Sequence, residues 1–329
     1  MKYSVIIPVY NRPAEVGELL ESIAGQPRPD VEIIIVEDGS QTTCEEVVAR
    51  FQNRLNITYL KKENGGPAAA RNYGAQQASG EWLIILDSDV VLPPGYFEAV
   101  DSGTENLGCD AFGGPDKAAD SFTPVQKAIS YAMTSFFTTG GIRGGKKKMD
   151  KFYPRSYNMG IRSEVYRKLG GFAKMRFGED IDFSYRIVEN GYKACLIPGA
   201  WVWHKRRTDF RKFFKQVHNS GIARINLEKR HPGTMKLVHM LPAAFTIGCL
   251  VFIAGAFFCL WSFLPLMLYA LLVFLGSLVQ NKILKVALLS VPAAFIQLTG
   301  YGTGFIVASV RRYILKGKEF EAFKDNFYK

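Results

Sequence analysis

Two periodicities divide the chain. Residues 3–9 (YSVIIPV), 31–37 (VEIIIVE) and 81–86 (EWLIIL) are short runs rich in β-branched and aliphatic side chains, bounded by turn residues. Such runs mark strands buried on both faces. Between them the apolar positions fall at helical spacing. Leu19, Leu20 and Ile23 follow the start Asn11-Arg12-Pro13, and Val47, Val48 and Phe51 follow Ser40, which is placed to cap that helix. Strand and helix alternate through residue 107, which predicts a doubly wound α/β sheet. Ligands of such sheets sit beyond the carboxyl ends of the strands. Tyr10-Asn11, Glu37-Asp38-Gly39-Ser40 and Asp87-Ser88-Asp89 all fall there.

Farther along, residues 139–151 (TGGIRGGKKKMDK) combine four glycines with a basic cluster and have no periodicity, so a mobile loop is expected. Ser163 is placed to cap a short helix that stops at Gly170-Gly171, and a second helix runs from about Glu179 to Gly191. Asp182 and Arg186 are four apart on it and can pair. A strand is expected at 193–197. Residues 208–230 gather Phe210, Phe213, Phe214, Val217, Gly221, Ile222 and Ile225 on one side and most basic residues elsewhere. That helix either lies in a lipid interface or packs on the sheet.

The polar pattern then stops. From Leu237 to Val310 there is no acidic residue, and the only lysines are Lys282 and Lys285. Leu237–Leu260 and Val286–Val310 are long enough to span a bilayer, for which about 20 residues are needed, whereas Pro265–Val279 is marginal. Three crossings would place the basic tail, 311–329, opposite the first domain, against the positive-inside tendency; two crossings would not. Gly300, Gly302 and Gly304 mark either close helix packing or a broken helix. The expected organisation is a domain over 1–230, a membrane region of two or three helices over 237–310, and the tail.

Composition changes this picture in two respects. The net charge of +11 points to anionic lipid or phosphorylated ligands, with nucleic acid disfavoured because a membrane already accounts for a basic surface. The five cysteines are odd in number and scattered, which fits reduced thiols in a cytosol-facing domain. The run Val5–Val9 is too short for a signal-peptide core, so the first domain is expected to remain on the side of synthesis.

Candidate chemistry follows from the acids at strand and helix ends. Asp87 and Asp89 are separated by one residue, and close carboxylates repel unless a cation relieves them. Mg²⁺ or Mn²⁺ held by one or two carboxylates plus substrate phosphates fits that arrangement. Glu37 and Asp38 can accept from a base or ribose, with Gly39 turning the chain. Asn64-Gly65-Gly66-Pro67 opens a helix whose small residues permit close approach. Arg71, one turn in, reaches either a phosphate or the Asp87 pair. Glu179 and Asp180 open a helix, where acids complement the dipole; one of them can equally serve as a general base. His204, in WVWHKRR at 201–207, is either a third metal ligand or an ordinary histidine beside tryptophans that anchor an interface.

Taken in order, VIIPVYNRP (5–13), IIIVEDGS (33–40), GGPAAARNYG (65–74), LDSD (86–89), NMGIR (158–162), GGF (170–172), GEDIDFSYRI (178–187) and VWHKRR (202–207) resemble the family 2 inverting glycosyltransferases with a GT-A fold. The resemblance covers residues 3 to 225. It implies that Pro8, Tyr10 and Asp38 contact the donor's base and ribose with Glu37 nearby and Arg71 on the nucleotide side, that Asp87 faces the ribose or the metal while Asp89 coordinates a divalent ion, and that Asp180 is the catalytic base with Glu179 beside it; His204 joins Asp89 and Asp87 as a metal ligand only on the residue reading above. It implies a nucleotide-sugar donor, most often a UDP-sugar; a lipid-linked or surface-glycan acceptor at the cytoplasmic face of the cell (inner) membrane is expected from the apolar C-terminal segments alone. Gln216-Val217-His218-Asn219-Ser220 stands where processive members carry Gln-x-x-Arg-Trp, which disfavours a processive polysaccharide synthase. A nucleotide-sugar-binding membrane protein without turnover is the reading from another class, and the intact Asp89 and Asp180 weigh against it. A nucleotidyltransferase would need a glycine-rich loop after the first strand, where Tyr10-Asn11-Arg12-Pro13 stands instead.

Overall fold

In the computed structural model, residues 1–26, 28–117, 122–139, 152–205 and 207–319 are described. Most of the loop expected at 139–151, and the tail from 320, lie outside the described residues. The described residues divide into two compact units, one built from 1–117 and 152–205, the other from 122–139 and 207–319.

The first unit is a mixed sheet between two helical layers. Its strands are β1 (Tyr3–Val9), β2 (Val31–Asp38), β3 (Ile57–Lys62), β4 (Trp82–Leu86), β5 (Val90–Val91), β6 (Ala111–Gly113), β7 (Asp116–Lys117), β8 (Asn158–Arg162), β9 (Ala194–Leu196) and β10 (Val202–His204). The main sheet runs β3-β2-β1-β4-β8-β6-β9. Its first four strands are parallel, and β8 lies antiparallel to both β4 and β6. β5, β10 and β7 form a separate small sheet. The helices are α1 (Pro13–Ala24), α2 (Glu45–Ala49), α3 (Pro67–Gln77), α4 (Tyr96–Leu107), then α5 (Pro124–Thr134) and α6 (Phe136–Thr139), which belong to the second unit, and α7 (Ser163–Leu169) and α8 (Glu179–Glu189).

Alternation along each strand sorts the core into two layers. Val5, Ile7, Ile33, Ile35, Ile84 and Leu86 bury against α1 and α4, whereas Ile6, Ile34, Val36 and Ile85 bury against α3 and α8. Gly74 lets α3 approach closely: a Cβ there would lie 2.8 Å from Ile6 Cγ2. The expected doubly wound α/β sheet is therefore present.

Both serines expected as caps do other work. Ser40 Oγ donates to Glu37 and accepts from Asn11 N–H, and α2 begins only at Glu45. Ser163 is the first residue of α7 and donates to the Gly80 carbonyl. Each serine meets a long-range partner that local spacing cannot reveal. The Asp182–Arg186 pair forms at 3.0 Å.

The second unit is helical: α5 and α6 with α9 (Phe210–Arg230), α10 (Leu241–Ala256), α11 (Leu264–Asn281) and α12 (Leu284–Ser309). α12 is its central element and contacts α5, α9, α10 and α11. Its glycines serve close packing within one continuous helix. A Cβ on Gly304 would lie 1.9 Å from the His218 carbonyl oxygen of α9, and one on Gly302 would lie 2.3 Å from the Pro242 carbonyl of α10. The apolar face of α9 is thus covered by a helix of its own unit, an outcome that amphipathicity alone could not select.

Among the described residues, two helices are long and apolar enough to cross a membrane, Leu260–Asn281 and Leu284–Ile314. The lengths expected from the sequence are corrected here. The first apolar segment yields only the 16-residue α10, because a break at Phe257–Cys259 interrupts it, while the segment expected to be marginal extends to 22 residues. Large apolar side chains such as Phe257, Phe258, Leu260 and Trp261 stand exposed at that break.

Candidate active site

The carboxyl ends of β1, β2 and β4 carry the expected residues, and the loops that follow are tied together by specific hydrogen bonds. Asn11 adopts a left-handed conformation (φ 54°), and its side-chain oxygen accepts from Gln41 and Thr42 N–H at 2.8 and 2.9 Å. Pro8 and Tyr10, at the end of β1, are partly exposed. Asp38 is buried and accepts from Gly65 N–H (2.9 Å), Gly66 N–H (2.7 Å) and Lys62 Nζ (2.7 Å), so it fixes the loop that opens α3. Gly39 (φ 72°) is needed there, since a Cβ would lie 2.7 Å from Asn64 N. Glu37 is buried with both oxygens engaged by Ser40, Cys44 and Tyr59, and it buttresses the loop from behind. Burial and the Glu37 carboxylate together push the Cys44 thiol well up, so it remains protonated.

Arg71 lies at the centre. It is 3% exposed, and its guanidinium bridges Asp87 Oδ1 (2.8 Å) and Glu179 Oε1 (3.0 Å), with Phe172 beneath it. Asp87 is thus one of the partners of Arg71. Its Nε is buried without a hydrogen-bond partner.

One ligand atom from each of Asp87, Asp89 and His204 falls within 4.8 Å of the others. The small sheet makes this possible, for β10 pairs His204 with Val90, the residue after Asp89. His204 Nε2 faces Asp89 Oδ1 at 3.3 Å, and its ring stacks on Tyr157. Nδ1 has no hydrogen-bond partner and points towards Asp116 Oδ2, 3.8 Å away. Two carboxylates and an imidazole fit a divalent cation, and the nitrogen donor favours Mn²⁺ over Mg²⁺. Arg12 donates to Asp89 Oδ2 and is a member of the site that the sequence reading passed over.

Glu179 and Asp180 open α8 after Gly178, which is held at φ 85°. Asp180 Oδ2 accepts from Arg155 Nε at 2.6 Å, and Oδ1 accepts from Ile181 N–H at 2.9 Å. Burial alone would raise the Asp180 carboxyl, but the charge and hydrogen bond of Arg155, with Arg71 and Ile181 N–H, hold it below the usual range. For Glu179 burial prevails, and the neighbouring Asp180 adds to it, so that carboxyl is raised despite Arg71. Neighbouring acids pushed in opposite directions are a signature of general acid–base sites.

Arg155 was not anticipated from the sequence. It sits in Tyr153-Pro154-Arg155, just before β8, and only the antiparallel pairing of β8 with β4 brings that loop to the site. Arg155→Gln is expected to raise the Asp180 pKa. The acidic limb of the kcat/KM profile then moves to higher pH, because ionised Asp180 is lost at higher pH. An unmoved limb would exclude Arg155 as the group that tunes Asp180.

Residues 4–170 match the sequence profile of Glycosyl transferase family 2. The chain belongs to that family. Among relatives of this family 2 glycosyltransferase, the poly(ribitol-phosphate) β-N-acetylglucosaminyltransferase TarS of Staphylococcus aureus is 39% identical over 93 residues, 27% of this chain but only 16% of TarS. An uncharacterized glycosyltransferase of Haemophilus influenzae is 32% identical over 194 residues, 56% of this chain and 62% of that protein. The chain therefore spans less than two thirds of either relative. Among solved structures, the mannosyltransferase PcManGT of Pyrobaculum calidifontis, in complex with GDP-Man and Mn²⁺, aligns with a TM-score of 0.64 at 18% identity, over 90% of this chain and 87% of that one. TarS residues 1–349 with UDP align with a TM-score of 0.51 at 20% identity, over 95% and 92%. At these identities the likeness is one of fold, and it is the GT-A fold that the first unit adopts.

Proposed function

We propose that this enzyme is an inverting, membrane-anchored glycosyltransferase that moves a sugar from a nucleotide-sugar donor to a lipid-linked or surface-glycan acceptor at the cytoplasmic face of the membrane. The observation that carries this reading is the bridge made by Arg71 between Asp87, on the side of the Asp87–Asp89–His204 cluster, and Glu179, beside Asp180. Such a bridge keeps two groups of opposite task at fixed separation.

In this reading Tyr10, Pro8 and the loop held by Asp38 and Glu37 receive the nucleoside. Arg71 and Arg12 present positive charge where negative charge develops on the leaving diphosphate. Asp87, Asp89 and His204 would hold the divalent ion, which when bound supplies further neutralisation of that diphosphate. Asp180 accepts the proton of the acceptor hydroxyl as its oxygen bonds to the anomeric carbon and the bond to the diphosphate breaks, inverting that centre in one step. The complexes of TarS with UDP-GlcNAc and of PcManGT with GDP-Man support a UDP-sugar or a GDP-sugar as donor. The anchor is supported by Leu260–Asn281 and Leu284–Ile314.

Purified protein in detergent with Mn²⁺, given a panel of nucleotide sugars and membrane-lipid extract, is expected to release nucleoside diphosphate only when the matching donor and the extract are both present. Donor binding without release under any of these conditions would favour a binding protein instead.

A further inference from the structure

The second unit holds a cavity of about 470 Å³ that has no part in the chemistry above, lined by Lys229, Arg312, Tyr313, Lys316, Gly317 and Lys318. It lies where α12 ends. The helix passes into a π-helical turn over Val310–Ile314, and Lys316 (φ 51°) then reverses the chain, with Gly317 N–H donating to the Arg311 carbonyl at 2.8 Å. That reversal returns Lys316 and Lys318 towards Arg312.

Four cations around one cavity exceed what the helix end requires. A helix C-terminus carries about half a negative charge, which one or two cations satisfy, and Arg311 Nε already donates to the Lys318 carbonyl at 3.1 Å. Among the described residues, the acids adjacent in sequence are engaged elsewhere: Glu228 accepts from Gly233 and Met235 N–H, and Glu319 pairs with Arg230. Among the described residues, Arg312 Nε is buried without a hydrogen-bond partner. Beside the cations the surface is apolar, with Tyr313, Ile314 and Leu315 about half to two-thirds exposed or more (49%, 71% and 70%). A concentrated positive pocket beside exposed apolar side chains, at the end of a helix long enough to cross a membrane, matches an anionic headgroup attached to a hydrocarbon chain.

We propose that this pocket binds the phosphate headgroup of a membrane amphiphile. The inference rests on the membrane anchoring proposed above. The phosphate could belong to bulk anionic lipid or to a lipid-linked acceptor, and the ligands below separate these sources.

The test uses the full chain in neutral detergent micelles, titrated calorimetrically with short-chain phosphatidylglycerol, short-chain phosphatidylcholine, a prenyl monophosphate and inorganic phosphate. Phosphatidylglycerol and the prenyl phosphate are expected to bind, and phosphatidylcholine is not. Lys316 and Lys318 are exposed, so K316Q/K318Q should fold normally and weaken binding by about twenty-fivefold, at roughly fivefold per cation. The charge-matched variant K282Q/K285Q, at the end of α11 and the start of α12, should bind as wild type. Equal weakening in both variants would overturn the proposal, as would equal binding of phosphatidylcholine, or inorganic phosphate binding as tightly as the amphiphiles. Preference for the prenyl phosphate over phosphatidylglycerol identifies the acceptor as the source, and parity identifies bulk lipid. Alkaline carbonate extraction of membranes tests the anchoring separately, since release of wild-type protein would defeat the anchor whatever the titrations give.

Discussion

Replacing Asp180 by asparagine is expected to abolish transfer, lowering kcat by about 10³-fold or more while leaving donor affinity within about twofold. The carboxylate is the group at the start of α8 whose charge is actively maintained. Arg155 and Ile181 N–H each donate to one of its oxygens and hold its pKa down against burial. Asparagine keeps the volume but must turn its NH₂ towards one of those donors, at a cost to folding of about 1–2 kcal/mol. A modest drop in Tm should therefore accompany the kinetic loss and cannot account for it. The informative companion is Glu179→Gln. Glu179 is tied to Arg71 and its pKa is raised by burial, so its neutralisation should disturb the Arg71 bridge and weaken donor binding together with turnover. Calorimetric donor binding and single-turnover rates on both variants decide the roles. Near-normal turnover in Asp180→Asn with collapse in Glu179→Gln would transfer the base to Glu179.

Legibility in the sequence followed the range of the interaction concerned. β1, β2 and β4 were readable because strands buried on both faces need apolar residues at nearly every position, and α1, α7 and α8 because their starts and stops lie within a few residues. β3 was not identified: ITYLKK is half-exposed at the sheet edge and mixes polar with apolar positions. β5, β7 and β10 have two or three residues each and owe their form to tertiary pairing, yet they bring His204 to Asp89. For the same reason the acids of the site could be named from sequence and their partners could not. Arg12 and Arg155 reach Asp89 and Asp180 across 77 and 25 residues, with nothing local to mark them. Asp116, behind His204, belongs to the same class. In the second unit, apolar composition gave the segments but not their ends, because the break at Phe257–Cys259 changes neither charge nor hydropathy.

Removal of the divalent cation, or Asp89→Asn, is expected to cost about 10³-fold in turnover, equivalent to ~4 kcal/mol of lost charge stabilisation. The arrangement around Asp89 explains why the loss should be large without being total. Asp87 and Asp89 already face two guanidinium groups, Arg71 and Arg12, so the site retains positive charge when emptied, and a residual rate above background is expected. His204→Asn should act differently from Asp89→Asn. It removes a nitrogen donor but leaves both carboxylates, so the Mn²⁺ concentration for half-maximal activity rises while the rate at saturating metal recovers. Asp116→Asn should follow His204→Asn in direction with a smaller effect, because it loosens only the group behind the imidazole. Titrating activity against Mn²⁺ for the three variants, after exhaustive chelation, gives each a distinct curve. If chelation leaves wild-type turnover intact and Asp89→Asn is equally active, then Arg12 and Arg71 alone neutralise the leaving group, and the Asp87–Asp89–His204 cluster serves to orient those arginines.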